Sequence, residues 1–470
     1  MKARSAWLSL HRYAGLFIAV FLVIEGITGS IKAFDHEINR LISPQLYARP
    51  QPDVPQLDLV TLAERAGSAV PQGSRIGLVM VDKERAEVMV LPDAQAMAAM
   101  QSKKVDPQAM MNSMFTLYLD PWTGAVLGRR AIGAGNGSWS DGWVGFMTFI
   151  TALHDRLAFD VFGLIPRVIG QWLLGVVALL WTIDCFVSYY LTFPARRRGA
   201  SESLAGDKGA SPRKSWWSRW KPAWLIKLKG SFYRVNFDLH RANGLWLWPL
   251  LLVFAWSSVM LNLGAVYNPV TKALFGLERE SQVSKARMAQ FRTTDMTTPD
   301  LRKVLATGRL AIEAEGRRQG FTVGKICGLM MAQPNTTAHL LYVQTSRDAP
   351  DSDYGCGTML TFDRKSGQVI ALQSPGMGQD GEPTGNFISR WLKKLHYAHP
   401  IGLWYQIIVA VTGLVITLLS VTGVYLWWKK RRAHQWSKGR SERTMPAAAL
   451  ADGLAGPATS DVSDSHQTGR

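Results

Sequence analysis

The chain has 470 residues, a formal charge of +18, and aromatic residues at 10%, including 18 Trp, more than an ordinary soluble domain needs. The basic residues do not form a patch on a polar domain but flank long apolar runs, which argues against nucleic acid as partner and for a lipid bilayer. Four runs, 13–33, 168–193, 245–263 and 401–428, approach or exceed the roughly 20 apolar residues that a spanning helix requires. The expected class is an α-helical polytopic membrane protein with four transmembrane helices.

The first span (5–33) opens with "LHRYAGLFIAVF", which sets His11 and Arg12 at the mouth of an apolar run. Lys2 and Arg4 also suit a signal peptide, but no small-x-small site closes the run, so it reads as a retained helix. An outer segment follows over 34–148. It holds a helical stretch at 59–70, the methionine-rich 97–114, whose thioethers suit Cu(I), and the hairpin "FTLYLDPWTGAVLGRR" at 115–130. "GNGSWSDGWVGF" (135–146) combines aromatic and polar groups and is a candidate surface for a bulky ligand, or an interfacial anchor. Residues 149–193 read as a periplasmic amphipathic segment, "FITALHDRLAF" with His154 and Arg156, followed by the second span.

Between Pro194 and Arg241 there are 12 Lys and Arg against 3 Asp and Glu, and "WWKKRRAH" follows the fourth run. Both places belong on the cytoplasmic side, so both chain ends are expected inside. Within the basic loop (194–238), 199–212 reads as unstructured, and 216–235 as a helix on the membrane surface or an irregular basic loop. "LHRANGL" then opens the third span (239–263) with His240 and Arg241. The second outer segment (264–386) has a helix at 301–318, Cys327 and Cys356 in a disulfide-permissive compartment, and the hairpin "TMLTFDRKSGQVIALQ" at 358–373. Residues 387–430 read as an amphipathic segment, "WLKKLHYAHPIG" with His396 and His399, followed by the fourth span, and 431–470 as a disordered cytoplasmic tail.

These landmarks repeat. Each half has "LHRxxGL", a helix, an Asp-x-x-Thr/Ser-Gly hairpin, an "LH" approach and a span ending in basic residues. A twofold repeat would set His11 against His240 and His154 against His396, one pair at each membrane face. Two axial imidazoles without neighbouring thiolates suit haem iron better than zinc, which takes four ligands. Arg12, Arg241 and Arg156 are then candidates for propionate partners, or anchors of the positive-inside kind. His399 rivals His396, one turn away. Glu25, inside the first span, is a proton relay, a quinol contact or the partner of another polar group. Gly15, Gly26, Gly29, Gly170, Gly175, Gly413 and Gly423 permit close approach of a macrocycle or of another helix.

The repeated "LHRxxGL", the "LxLDPxTGxVL"-like hairpin and the "LHxxL" approach resemble the PepSY-associated transmembrane family over most of 5–432. Its members include inner-membrane ferrisiderophore reductases of the ferrioxamine type. The resemblance implies two periplasmic α+β PepSY-like domains and two haem b groups held by His11, His240, His154 and His396. It also implies a ferric siderophore as the substrate, reduced on the periplasmic side. The stretch between His154 and its helix is longer than that after His396, which departs from the pattern at the outer pair. No G-x-G-x-x-G or P-loop occurs, so electrons are expected from a membrane quinol or a separate donor protein. The competing expectations are a non-enzymatic module acting on a periplasmic peptidase, and a copper-handling protein.

Overall fold

A computed structural model describes residues 2–96, 114–131, 143–161, 166–195, 215–277, 285–295, 297, 299–331, 335–348, 356–374, 383–398 and 401–452. In chain order the elements are α1 (Lys2–Lys32), α2 (Asp35–Ile42), α3 (Leu59–Gly67), β1 (Ser74–Val81), β2 (Ala86–Pro92), β3 (Phe115–Leu119) and β4 (Val126–Ala131). Next come α4 (Trp143–Arg156), α5 (Arg167–Thr192), α6 (Trp216–Trp220), α7 (Phe232–Trp246), α8 (Trp248–Asn262), α9 (Gly264–Phe275) and α10 (Lys285–Ala289). The last are α11 (Leu301–Gln319), β5 (Val323–Met330), β6 (Ala338–Thr345), β7 (Thr358–Asp363), β8 (Val369–Gln373), α12 (Thr384–Tyr397) and α13 (Leu403–Asp452).

Among the described residues three helices are long and apolar enough to cross a membrane, over Ala3–Lys32, Arg167–Thr192 and Leu403–Ala433. The run expected as the third span is instead a helix pair, α7 and α8, bent by 70°. The bend falls at Leu247, ahead of Pro249 in the first turn of α8, where a proline lacks an N–H and cannot continue a helix from before. Alone, the 15 residues of α8 cover about 22 Å at the helical rise, short of a bilayer core of about 30 Å.

The helices pack α1 on α13 and α5 on α8. At the α1–α13 crossing a Cβ on Gly26 would come 2.5 Å from the Gly413 carbonyl oxygen, and one on Gly413 would come 2.5 Å from that of Gly26. Only glycine at both places lets the two backbones meet, and Ser30 Oγ then donates to the Ala410 carbonyl across the contact at 2.8 Å.

The two outer segments, expected as two domains, share one sheet. Its eight strands run β4-β3-β2-β1-β5-β6-β7-β8, and the halves join where β1 pairs antiparallel with β5 through Leu78↔Met330, Val79↔Leu329 and Met80↔Gly328. The physical reason is that each half alone would leave an apolar edge strand with unpaired backbone groups. Helices α3 and α11 cover one face, and Leu62, Val79, Ile312, Leu329, Leu341, Leu360 and Phe362 form a common core beneath them. Both expected hairpins form. Asp120 accepts from the Trp122 and Thr123 N–H groups and Asp363 from that of Ser366. Gly124 and Gly367 take φ of 72° and 73°, where a side chain would be strained. Cys327 and Cys356 form a disulfide with Cα atoms 6.1 Å apart.

Two local expectations change. The stretch 216–235 is not one surface helix: α6 gives way to a 3-10 turn over Lys221–Trp224, and α7 begins only at Phe232. Pro222 and Gly230 interrupt it, and Trp220 buries itself beside Tyr189 and Phe193, its Nε1 donating to Thr192 Oγ1 at 3.2 Å. The segment expected as a disordered tail from 431 continues as helix to Asp452, in keeping with its Ala, Arg, Lys and Glu content. Residues 199–212, most of the methionine-rich 97–114 and most of 135–146 lie outside the described residues, as does 453–470.

Two measurements test this part. Thiol labelling of unfolded chain without reductant should find one reactive cysteine, Cys185; three would contradict the disulfide. Asp58 caps α3, and hydrogen bonds from Thr61 N–H, the Thr61 hydroxyl and Val60 N–H hold its carboxyl below the usual range. A depressed carboxylate stabilises fully above its unfolded value of about 4 and loses this contribution as pH falls through the folded value. Asp58→Ala should therefore lower stability by about 1 kcal/mol at neutral pH, with the difference from wild type shrinking in acid. An equal difference at both pH values in thermal scans would contradict the account.

Candidate functional site

The imidazoles of His11 on α1 and His240 on α7 face one another with ring centres 6.2 Å apart and planes at 55°. His11 Nδ1 lies 2.9 and 3.0 Å from the two carboxylate oxygens of Asp184 on α5. His240 Nδ1 lies 3.0 Å from the Leu419 carbonyl oxygen and 3.1 Å from Thr422 Oγ1 on α13. A carboxylate and a carbonyl only accept, and Thr422 already donates its proton to the Leu418 carbonyl at 2.7 Å. Both rings therefore carry hydrogen on Nδ1, which in the neutral ring leaves the lone pair on Nε2.

The second pair is built the same way. His154 on α4 and His396 on α12 have ring centres 6.4 Å apart and planes at 46°. His154 donates from Nδ1 to Thr28 Oγ1 at 2.9 Å, with Glu25 Oε2 at 3.1 Å, while Thr28 donates onward to the Ile24 carbonyl at 2.7 Å. His396 donates to Ser257 Oγ at 2.8 Å, and Ser257 donates to the Phe254 carbonyl at 3.1 Å. Burial pushes His154 down to about 3 and His396 down to about 4, so both rings are neutral near pH 7.

Corresponding positions do corresponding work. The same number of residues separates His11 from Thr28 as His240 from Ser257, and Gly175 from Asp184 as Gly413 from Thr422. Gly29 and Gly423 let the rings lie against helix backbone. A Cβ on Gly29 would stand 3.1 Å from His154 Cε1, and one on Gly423 3.2 Å from His240 Cε1.

Beside the first pair is a cavity of about 380 Å³, lined by Gly15, Gly244, Arg12, Arg241, Trp181 and Trp248 among others. A Cβ added to Gly15 or Gly244 would meet nothing within 4 Å. The volume lies in the range of small-molecule sites. Metal–nitrogen bonds of about 2 Å, with about 1.1 Å from a ring nitrogen to its ring centre, would set the centres of two axial imidazoles about 6 Å apart. The two observed spacings fit one iron between each pair. Among the described residues no group of three or more His, Cys, Asp or Glu is arranged to hold a metal ion, so a metal at either pair would need its remaining ligands from elsewhere, as haem provides.

The arginines divide. Arg12 and Arg241 both line the cavity, Arg241 being paired with Asp238 at 2.9 Å as well, whereas Arg156 is held by Asp160 at 2.7 Å. His399 lies outside the described residues, and it is His396 that faces His154. Asp184, Thr28, Ser257 and Thr422 are not among the residues singled out from the sequence. A signal for Asp184 exists, since an aspartate inside an apolar span marks function by default. For Thr28 and Ser257 the signal is their equal distance from the two "LHR" motifs.

The fold and the site together define a helical membrane protein with a histidine pair toward each end of its bundle and an antiparallel sheet in its extramembrane part. The chain belongs to the family described as PepSY-associated TM region, whose profile matches residues 8–430. No curated protein matches it.

Filling the cavity tests the site. Should each pair hold a haem, Gly15→Leu and Gly244→Leu would each remove the one at the first pair and leave the other, so that absorbance per extracted chain falls by about half. Full absorbance in the double variant would mean that the cavity is not a cofactor site.

Proposed function

We propose that the chain is a di-haem reductase of the bacterial inner membrane. It carries electrons from the cytoplasmic face to the periplasm and reduces ferric siderophore there, releasing ferrous iron. The observation that supports this reading best is the set of four Nδ1 hydrogen bonds, which leaves two Nε2 lone pairs on neighbouring rings at each site. His11 and His240 would hold one haem b, and His154 and His396 the other. Haem supplies a centre that takes up and gives back one electron at a time.

In this reading the bent pair α7–α8 counts as the third of four spans, and the two halves form a twofold repeat. The chain's own residues do three things. Asp184, Leu419, Thr28 and Ser257 fix the ring tautomers. The close crossing at Gly26 and Gly413 holds α1 against α13. The basic residues after α5 and in α13 set the first pair on the cytoplasmic side by the positive-inside rule. The 17 residues from His11 to Thr28 span about 25 Å of helix, so one cofactor cannot bridge the bilayer and two stations are needed. Electrons would enter from a membrane quinol or a separate donor. Reduction of the bound ferric ion weakens its hold on hard oxygen ligands, so the siderophore releases it.

The test uses liposomes holding the chain with its sheet outward, reductant trapped inside, and a ferrous indicator with ferrisiderophore outside. Colour should develop with wild type and be lost in both His11→Ala and His154→Ala. Persistence in His11→Ala would take the first pair off the path and overturn the relay.

A further inference from the structure

We propose that Asp184 is a positioning residue that holds the station at His11–His240 at a lower reduction potential than the one at His154–His396. This sets the direction of electron flow toward the sheet end. The inference rests on the di-haem reading above. Asp184 lies in the apolar helix α5 and is only 9% exposed. A carboxylate in such a place is expensive, and among the described residues both of its oxygens face His11 Nδ1. The corresponding residue of the other half is Thr422, which offers His240 a neutral hydroxyl instead. Function, not the demands of packing a repeat, therefore accounts for the charge.

An anion at Nδ1–H makes the ring a stronger donor through Nε2 and places negative charge near the iron. Both effects favour the ferric state and lower the potential. The second pair is held more weakly in this respect. Glu25 reaches His154 with one oxygen, 3.1 Å away, and shares that N–H with Thr28. Lys32, on the same helix as Glu25, is paired with Asp155 at 3.3 Å and leaves no net charge on that side. Among the described residues, His396 Nδ1 has the Ser257 hydroxyl as its partner. At the first pair Asp238 is shared between Arg241 at 2.9 Å and the half-exposed Arg234 at 3.1 Å, and the carboxylates of a bound haem would offset the charge of Arg12. One electron leaves the first station for each that arrives at the second, with no bond made or broken.

Optical redox titration of the extracted full-length chain tests this. Wild type should titrate in two waves. Asp184→Asn, which can still accept from Nδ1–H, should raise the reduced-to-oxidised ratio of the lower wave at fixed potential about tenfold, or about 59 mV for a one-electron couple. The upper wave should stay in place, and Asp184→Glu should restore most of the shift. In a His154→Ala background the single remaining wave should be the one that moves. Two haems with unmoved waves, or movement of the upper wave alone, would overturn the inference. Loss of the first haem from Asp184→Asn would make the carboxylate a binding requirement and overturn its tuning role. Wild-type chain without haem would overturn the di-haem reading itself.

Discussion

A neutral imidazole inside an apolar bundle has one N–H to donate and one lone pair to offer, and the partner of the first decides the availability of the second. In this protein all four paired histidines donate from Nδ1, to a carboxylate, a backbone carbonyl and two hydroxyls whose own protons are already committed. That single constraint settles tautomer and ring orientation together. The rest of the helical architecture serves it. Residues 28 and 257 must reach histidines on other helices, so α4 and α12 have to fold back against α1 and α8. Glycines at 29 and 423 must be bare for the rings to fit.

The same economy explains the extramembrane part. Each half of the chain supplies four strands and one covering helix, too little to bury a sizeable core by itself. Joining β1 to β5 removes two exposed edges and merges two small cores into one. The sheet thereby ties the two halves of the bundle to each other outside the helices, in addition to the glycine crossing within them. A rigid frame suits a site whose rings must keep spacings of 6.2 and 6.4 Å without a covalent link between them.

Much of this was legible in the sequence because the repeat marks it. "LHR" recurs before two apolar runs and "LH" before two others, and those four histidines are the ones that meet. The hairpins at Asp120 and Asp363 follow from turn chemistry that needs glycine at 124 and 367. What could not be read is what depends on contacts between distant segments. Nothing local says that β1 and β5 are neighbours, since an edge strand reads alike whether its partner comes from its own domain or another. The bend at Leu247 is signalled by Pro249, but its 70° angle depends on what α7 packs against. Arg156 and Arg241 sit beside ligands in sequence, yet carboxylates nearby in space claim them first. Asp184 escapes a reading built on repeated letters because its counterpart is a threonine.

The central claim is that each histidine pair holds one iron between two axial imidazoles. The most direct measurement is haem content and spin state of the membrane-extracted chain, by pyridine haemochrome assay and low-temperature electron paramagnetic resonance. The account predicts two b-type haems per chain, both low-spin in the oxidised state and both six-coordinate when reduced. A colourless protein, or a high-spin signal with an open coordination position at either site, would contradict it.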